Sequence, residues 1–397
     1  MPGAQDGGSQ PRRGGATGVW VTPLEVETQL FGICPTERLR RVFASDAIVW
    51  TGRRPPPADA ARRWLVLRGD FVFDERLLEA LKTTRDVVLL SRPVDGAIAV
   101  AAHIRSDQLA LAAGWIRDGK PALADGIALA RPDDLVHPYD TKLRKRQPAL
   151  VARVTAEGAA ALEQLLFDAS YKGVTDWVTR SLWPRPALAT TRVLARHGVK
   201  PNTVTLASWL LAIGSMGAFL SGALGIGLVM AWAMTFLDTV DGKLARVTLR
   251  TSPFGNVFDH GLDLIHPPFW WWAFGSAAAS LPPAFAGEWV PLATSICVMG
   301  YIAGRVLEGV FLTGFGFEIH SYRPIDSWFR RITARRNPNL VLLSAATLAG
   351  LPALGMLAVA GWTLASIGFH ILRLASACMQ ALLGHGVVPW EEEGWTS

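Results

Sequence analysis

The sequence predicts an α-helical polytopic membrane protein. Six transmembrane helices are preceded by an amphipathic juxtamembrane helix and a small N-terminal soluble α/β domain. Three observations carry that reading. Half of the 397 residues are hydrophobic and 18% are charged, against about 25% charged in an average soluble domain. The mean hydropathy is +0.25. The apolar residues are also gathered into long runs after residue 200. Together these exclude a disordered chain, a collagen-like repeat and a wholly soluble globule. A net charge of +6 suits nucleic acid or anionic lipid equally. The apolar runs decide for lipid, and no nucleic-acid partner is expected. Cys34, Cys297 and Cys378 are scattered, so neither a disulfide framework nor a CxxC metal site is available.

Residues 1–17, rich in Gly, Pro, Gln and Arg without an apolar core, read as a disordered tail rather than a signal peptide. The N-terminus is therefore expected in the cytoplasm. Residues 18–150 read as the soluble α/β domain. The run from Arg62 to Leu67, stopped by Gly69-Asp70, reads as a buried strand. Glu75 to Lys82 reads as a helix and Val87 to Leu90 as a second strand. Asp95-Gly96 is expected to turn into a third at Ala97–Ala101, and Arg53 to Pro57 reads as a loop. Residues 151–200 are a linker ending in the juxtamembrane helix. There Thr175 to Arg196 mixes Trp177, Leu182, Trp183 and Val193 with Arg180, Arg185, Arg192 and Arg196, broken at Pro184 and Pro186. Such a segment lies on a membrane with Trp and Arg at headgroup depth. An ordinary surface helix of the soluble domain is the plainer alternative.

Residues 201–385 then supply spans at 203–221, 223–245, 258–280, 290–314, 339–360 and 362–384, each near the ~20 residues that cross the hydrocarbon core. Connections at Ser221-Gly222, around Glu288 and at Gly361 carry no Lys or Arg. Lys200, Arg250, Arg323, Arg330, Arg331, Arg335 and Arg336 fall on the opposite side. Positive residues stay inside, so both termini, including the tail 386–397, are expected in the cytoplasm of an inner-membrane protein.

The chemistry sits at the cytoplasmic ends of the second and third spans. Asp238, Asp241, Gly242, Ala245 and Arg246 are followed, after eight residues, by Gly255, Asp259 and Asp263. Each carboxylate pair shares a helix face. An Asp in the bilayer costs roughly 2.5–3.5 kcal/mol on insertion scales, so the four must converge on a polar cavity rather than face lipid. Converging carboxylates need cations, and an all-oxygen donor set selects Mg²⁺ or Mn²⁺ over zinc. Packing glycines beside interface carboxylates are the plainer reading. Eight fixed residues at fixed spacing, each at roughly one in fifteen by usage, argue against it.

This arrangement, D-x-x-D-G-x-x-A-R-x8-G-x-x-x-D-x-x-x-D, resembles the signature of the CDP-alcohol phosphotransferases. The resemblance runs from Pro201 to about Gly384 and includes the opening Pro201-Asn202-x-x-Thr205. It implies transfer of a substituted phosphate from a CDP-linked donor, usually CDP-diacylglycerol, to an alcohol with release of CMP. By position it implies that Asp238, Asp241, Asp259 and Asp263 hold two metal ions, with Asp263 also the general base. Asp241, Gly242, Ala245, Arg246, Gly255 and Thr205 would line the CDP site, and family members resemble homodimers. His260 and His266 flank the motif at positions outside the signature and read as packing or interfacial residues.

The acceptor is less legible. Arg305 with Glu308, and Arg373 beside His370, are charges inside apolar spans and hence functional candidates. Arg305 and Arg373 are expected to hold an acceptor, for example a phosphorylated alcohol. The alternative is a structural Glu308–Arg373 ion pair. The loop His320 to Asp326 and Arg335-Arg336-Asn337 either complete an anionic pocket or grip headgroups. In the soluble domain, Val66 to Asp70 followed by Asp95-Gly96 weakly resembles a sugar-nucleotidyltransferase. The glycine-rich phosphate loop of that fold is missing, so the domain is expected to be noncatalytic. The leading reading is a phospholipid-synthesising transferase. Alternatives are transfer from a CDP-inositol-type donor to inositol phosphate and, in another class, an inactive membrane scaffold.

Overall fold

The structure is a computed structural model. It describes residues 17–391 apart from 23, 25, 45–47, 58–60, 92–96 and 121–125, and leaves out the side chains at 256, 260 and 262. The expected turn at Asp95-Gly96, the N-terminal tail up to 16, the last residues of the C-terminal tail and the reading of His260 lie outside the described residues. The chain divides into two units, 1–138 with 147–163, and 139–146 with 164–397.

The first unit is a six-stranded sheet with helices on both faces. Its strands are β1 (Thr17–Thr22), β2 (Val49–Trp50), β3 (Arg63–Arg68), β5 (Val87–Leu90), β6 (Ala99–Arg105) and β7 (Ala128–Ala130), while β4 (Phe71–Phe73) pairs outside it with β10 (Val151–Arg153). The order is β2-β1-β3-β6-β5-β7, with β6 antiparallel to both neighbours. The β3 sequence shows why the run is continuously apolar. Leu65 and Leu67 face Leu39 of α1 (Pro35–Val42) and Leu77, Leu78 and Leu81 of α2 (Glu75–Thr83). Trp64 and Val66 point the other way, onto Trp115 and Ile116 of α3 (Leu109–Asp118). A strand covered on both sides has no polar face to alternate with. The strand expected at 97–101 runs instead from Ala99 to Arg105. A short α4 (Pro132–Leu135) follows, and α5 (Ala159–Ala169) carries the boundary into the second unit.

The second unit contains the hairpin of β8 (Tyr139–Asp140) and β9 (Lys145–Arg146), then helices only. The juxtamembrane segment is two helices, α6 (Trp177–Ser181) and α7 (Pro184–Arg196). Asp176 caps α6 through the Thr179 amide, and Pro184 starts α7 at a position where its missing N–H costs nothing. The long helices are α8 (Pro201–Leu220), α9 (Leu224–Val247), α10 (Pro253–Ala278), α12 (Val290–Phe315) and α15 (Pro352–Leu382); α11 (Ala284–Gly287), α13 (Pro324–Phe329) and α14 (Arg336–Leu348) are short. Among the described residues, α8, α9, α12 and α15 are long and apolar enough to cross a membrane. The chain is a multi-pass membrane protein. Its core gathers Phe219, Trp270, Phe274, Leu340 and Met356, with Trp270 Nε1 donating to the Ala212 carbonyl at 2.8 Å.

One expected boundary is wrong. The last two spans do not meet at Gly361, which lies inside α15; α14 stops at Leu348 and α15 begins at Pro352. Gly350 takes a left-handed φ of +73° and Pro352 opens the next helix, the usual stop and start residues. Gly361 is tolerated within a helix supported by its neighbours. The true turn also carries no Lys or Arg, so the charge asymmetry of the loops is unchanged.

Candidate active site

Helices α9 and α10 form a hairpin whose turn, residues 248–252, places the two halves of the aspartate motif opposite each other. Ser252 caps α10 by accepting from the Gly255 amide at 3.0 Å. Beside this turn lies a recess of about 480 Å³, lined by Thr205, Asp241, Gly242, Ala245, Arg246, Gly255 and Asp259 among others. All six residues expected at the CDP site are therefore brought together, with Asp259.

Thr205, one turn into α8, donates to Asp241 Oδ2 at 2.6 Å and ties α8 to α9. Gly255 is closely approached by two side chains. A Cβ there would stand 2.8 Å from Asn202 Oδ1 and 3.0 Å from Ser252 Oγ, so those two side chains would have to shift to admit one. Arg246 lines the same wall, and its Nε is buried without a hydrogen-bond partner among the described residues. A buried guanidinium N–H left open in this way suits an anionic guest.

The other two carboxylates are held differently. Arg336, at the start of α14, donates from Nη2 to Asp238 Oδ2 and from Nη1 to Asp263 Oδ1, each at 2.6 Å. Asp238 is nearly buried, with 11% of its side chain exposed, whereas Asp263 is 54% exposed. Helix α10 carries Pro267 and Pro268 in its interior. These cannot donate to the carbonyls four residues back, those of Asp263 and Leu264. The Tyr301 hydroxyl on α12 supplies the missing donor, at 2.8 Å to the Asp263 carbonyl and 3.3 Å to that of Leu264. Arg336 was expected at an anionic pocket or at headgroups rather than on the aspartates, and Tyr301 was not among the expected site residues. The adjacent prolines signalled that a donor from elsewhere was needed, but not which one.

The donor set fits a hard cation. Asp238 Oδ1 and Asp241 Oδ1 are buried oxygens with no hydrogen-bond partner among the described residues, and every candidate ligand is a carboxylate oxygen. In this arrangement no three His, Cys, Asp or Glu side chains among the described residues converge closely enough to hold an ion. Arg336 stands between Asp238 and Asp263.

A second recess, of about 290 Å³, opens beside α12 and includes Tyr301, Arg305, Glu308, Arg335 and His370. Glu308 accepts from Arg305 Nη2 at 3.0 Å and pairs with Arg335 Nη2 at 2.5 Å, with His320 Nε2 at 3.2 Å. Burial holds His320 well below the usual histidine range, so it adds no charge. Two guanidinium groups thus face one carboxylate. The Nε atoms of Arg305 and Arg335 are both buried without a partner among the described residues.

The expected alternative of a Glu308–Arg373 ion pair is not formed. Arg373 instead makes a two-pronged bond to the buried Asp326 of α13, at 2.7 and 3.0 Å, and stacks on Tyr322 at 4.9 Å. Arg373 fastens the α13 loop and does not line the recess, whereas Arg305 does. Sequence position could not tell which acid each arginine would reach. His266 is buried, with its ring 4.5 Å from that of Trp270, as a packing residue should be.

The family model for CDP-alcohol phosphatidyltransferase matches residues 199–372. The chain is 27% identical over 278 residues to choline/ethanolaminephosphotransferase 1 of Arabidopsis thaliana, covering 60% of this chain and 69% of that protein. It is 32% identical over 162 residues to the bifunctional IPC transferase and DIPP synthase of Rubrobacter xylanophilus, covering 40% of this chain and 34% of that one. Among solved structures, Mycobacterium tuberculosis phosphatidylinositol phosphate synthase with CDP-DAG bound matches with a TM-score of 0.38 and 19% identity, over 48% of this chain and 94% of that chain. Over residues 199–372 the chain is thus similar to the CDP-alcohol phosphatidyltransferases.

Proposed function

We propose that this protein transfers a substituted phosphate from a CDP-linked alcohol, CDP-diacylglycerol, to an alcohol acceptor in phospholipid synthesis, releasing CMP. The observation that carries the reading is the recess between α8, α9 and α10, which unites Thr205, Asp241, Gly242, Ala245, Arg246 and Gly255. There the small residues leave room for a nucleotide, and Arg246 offers its open N–H to the diphosphate.

Asp238, Asp241, Asp259 and Asp263 would hold the metal. Bound Mg²⁺ or Mn²⁺, as a pair, supplies charge neutralisation to the diphosphate. Asp263 accepts the proton of the acceptor hydroxyl. The hydroxyl oxygen then bonds to the lipid-linked phosphorus, the bond from that phosphorus to the bridging oxygen breaks, and the electron pair leaves with CMP. Asp263 is half exposed and its main-chain carbonyl is pinned by Tyr301. It is thus accessible to the acceptor on a helix turn held in place. Keeping this residue argues against an inactive scaffold.

The surplus positive charge of the second recess favours a phosphorylated acceptor, with Arg305 as its contact. That preference also fits the alternative, a CDP-inositol-type donor transferred to inositol phosphate. The Rubrobacter relative, whose name joins a transferase and a synthase, keeps that alternative in play. In our reading α10 and the shorter α14 complete a six-helix membrane domain. The arginine-rich loops, both termini and the active site face the cytoplasm of the inner membrane, the chain pairs as a homodimer, and the N-terminal unit is noncatalytic.

The test is product identification. Membranes carrying the protein are incubated with labelled CDP-diacylglycerol, Mn²⁺ and a panel of free and phosphorylated alcohols. A labelled phospholipid formed together with CMP, from a phosphorylated alcohol and abolished by chelation, is expected. Full turnover after exhaustive chelation would sink the metal assignment, and no transfer from CDP-diacylglycerol to any acceptor would sink the lipid-donor reading.

A further inference from the structure

Arg335 and Arg336 occupy the N-cap and first turn of α14, where the helix dipole disfavours a cation. Each is held there by acids from other helices: Arg335 by Glu308 of α12, and Arg336 by Asp238 of α9 and Asp263 of α10. The backbone beside them is fastened separately. Asn337 Nδ2 donates to Asp176 Oδ1 at 3.0 Å and to Thr179 Oγ1 at 3.2 Å, and the Trp177 amide donates to the Arg331 carbonyl at 2.9 Å. The start of α14 is thus anchored to the juxtamembrane helix α6, and the Arg336 side chain is the part left to move.

We propose that Arg336 is the resident counter-cation of the aspartate cluster. It holds Asp238 and Asp263 together when no divalent ion is bound, and it competes with that ion for the same oxygens. The inference rests on the reading that these carboxylates hold a metal. One planar guanidinium spans two acids from different helices, a task its forked donors suit and an ammonium does not. It leaves Asp238 Oδ1 buried without a partner among the described residues, so the carboxylate is only half satisfied and still attracts an ion of higher charge density. Arg336 is therefore a positioning residue: it keeps the hairpin and α14 in register for the metal that displaces it.

The test uses the full chain, purified in detergent and stripped of metal. Mn²⁺ affinity is read from the electron paramagnetic resonance of free Mn²⁺, and the metal-free melting temperature is measured beside it. Arg336→Gln should bind Mn²⁺ more tightly than wild type, on the order of 10-fold, while melting at a lower temperature without metal. Arg336→Lys keeps one charge but cannot bridge both acids, so it should fall between the two in affinity. It also serves as the folded comparison should the Gln variant fail to accumulate. Equal or weaker Mn²⁺ binding by the variants than by a wild type that does bind would overturn the counter-cation alone. A wild type that binds no Mn²⁺ would overturn the metal reading and this inference with it.

Discussion

The recess between α8, α9 and α10 draws its lining from residues 201–259, whereas the recess beside α12 draws on residues from 300 to 370. The first is almost a local object, one helical hairpin and the start of the helix before it, so fixed spacing is enough to build it. The second joins α12, the arginine-rich loop before α14, and α15. No spacing rule connects these, although ion pairs such as Glu308–Arg335 join them in space. Under the proposed function, the CDP handle would be held by one fixed hairpin and the acceptor by a recess assembled from elements distant in sequence.

The comparison is sharpened first by filling the local recess. Gly255→Val places a branched side chain against Asn202 and Ser252, and overpacking of this kind costs about 2 kcal/mol. Affinity for the CDP donor, measured by equilibrium binding, should fall on the order of 30-fold. The acceptor KM should change little. Arg305→Gln probes the other recess. It should raise the KM for a phosphorylated acceptor on the order of 10-fold, the worth of one charged hydrogen bond, without moving the donor KM. An unchanged acceptor KM would remove Arg305 from the pocket. The smallest effect is expected at Tyr301→Phe, in the lining of the second recess. Losing its bond to the Asp263 carbonyl should cost about 1 kcal/mol of stability, read as a lower melting temperature. Turnover should drop by about 5-fold or less.

Legibility followed the range of the interactions. The β3 and β5 strands and α2 were readable because their apolar runs reflect burial within a few residues of sequence. The aspartate hairpin was readable because four acids and three small residues at fixed spacing are improbable in apolar surroundings. Arg336, Tyr301 and the Glu308–Arg335 pair were not, since each is defined by a partner on a distant element. The boundary between α14 and α15 was missed for another reason. Gly350 and Pro352 carried the correct signal, but a break at Gly361 gave two spans each near ~20 residues. Helix α14 has 13 residues, about 20 Å at 1.5 Å per residue, so the length expected of a span was the wrong guide there.

The central claim is that the aspartates divide their work, Asp241 serving the donor side and Asp263 receiving the proton. Measuring CDP-diacylglycerol affinity and single-turnover rate in Asp263→Asn and Asp241→Asn tests it most directly. A positioned base is worth roughly 10²–10⁴ in rate, so Asp263→Asn should cut turnover by on the order of 10² or more while keeping most of its donor affinity. Asp241→Asn should lose donor affinity and Mn²⁺ affinity together. Near-normal turnover by Asp263→Asn would contradict its assignment as the base, and parallel loss of donor binding in both variants would contradict the division.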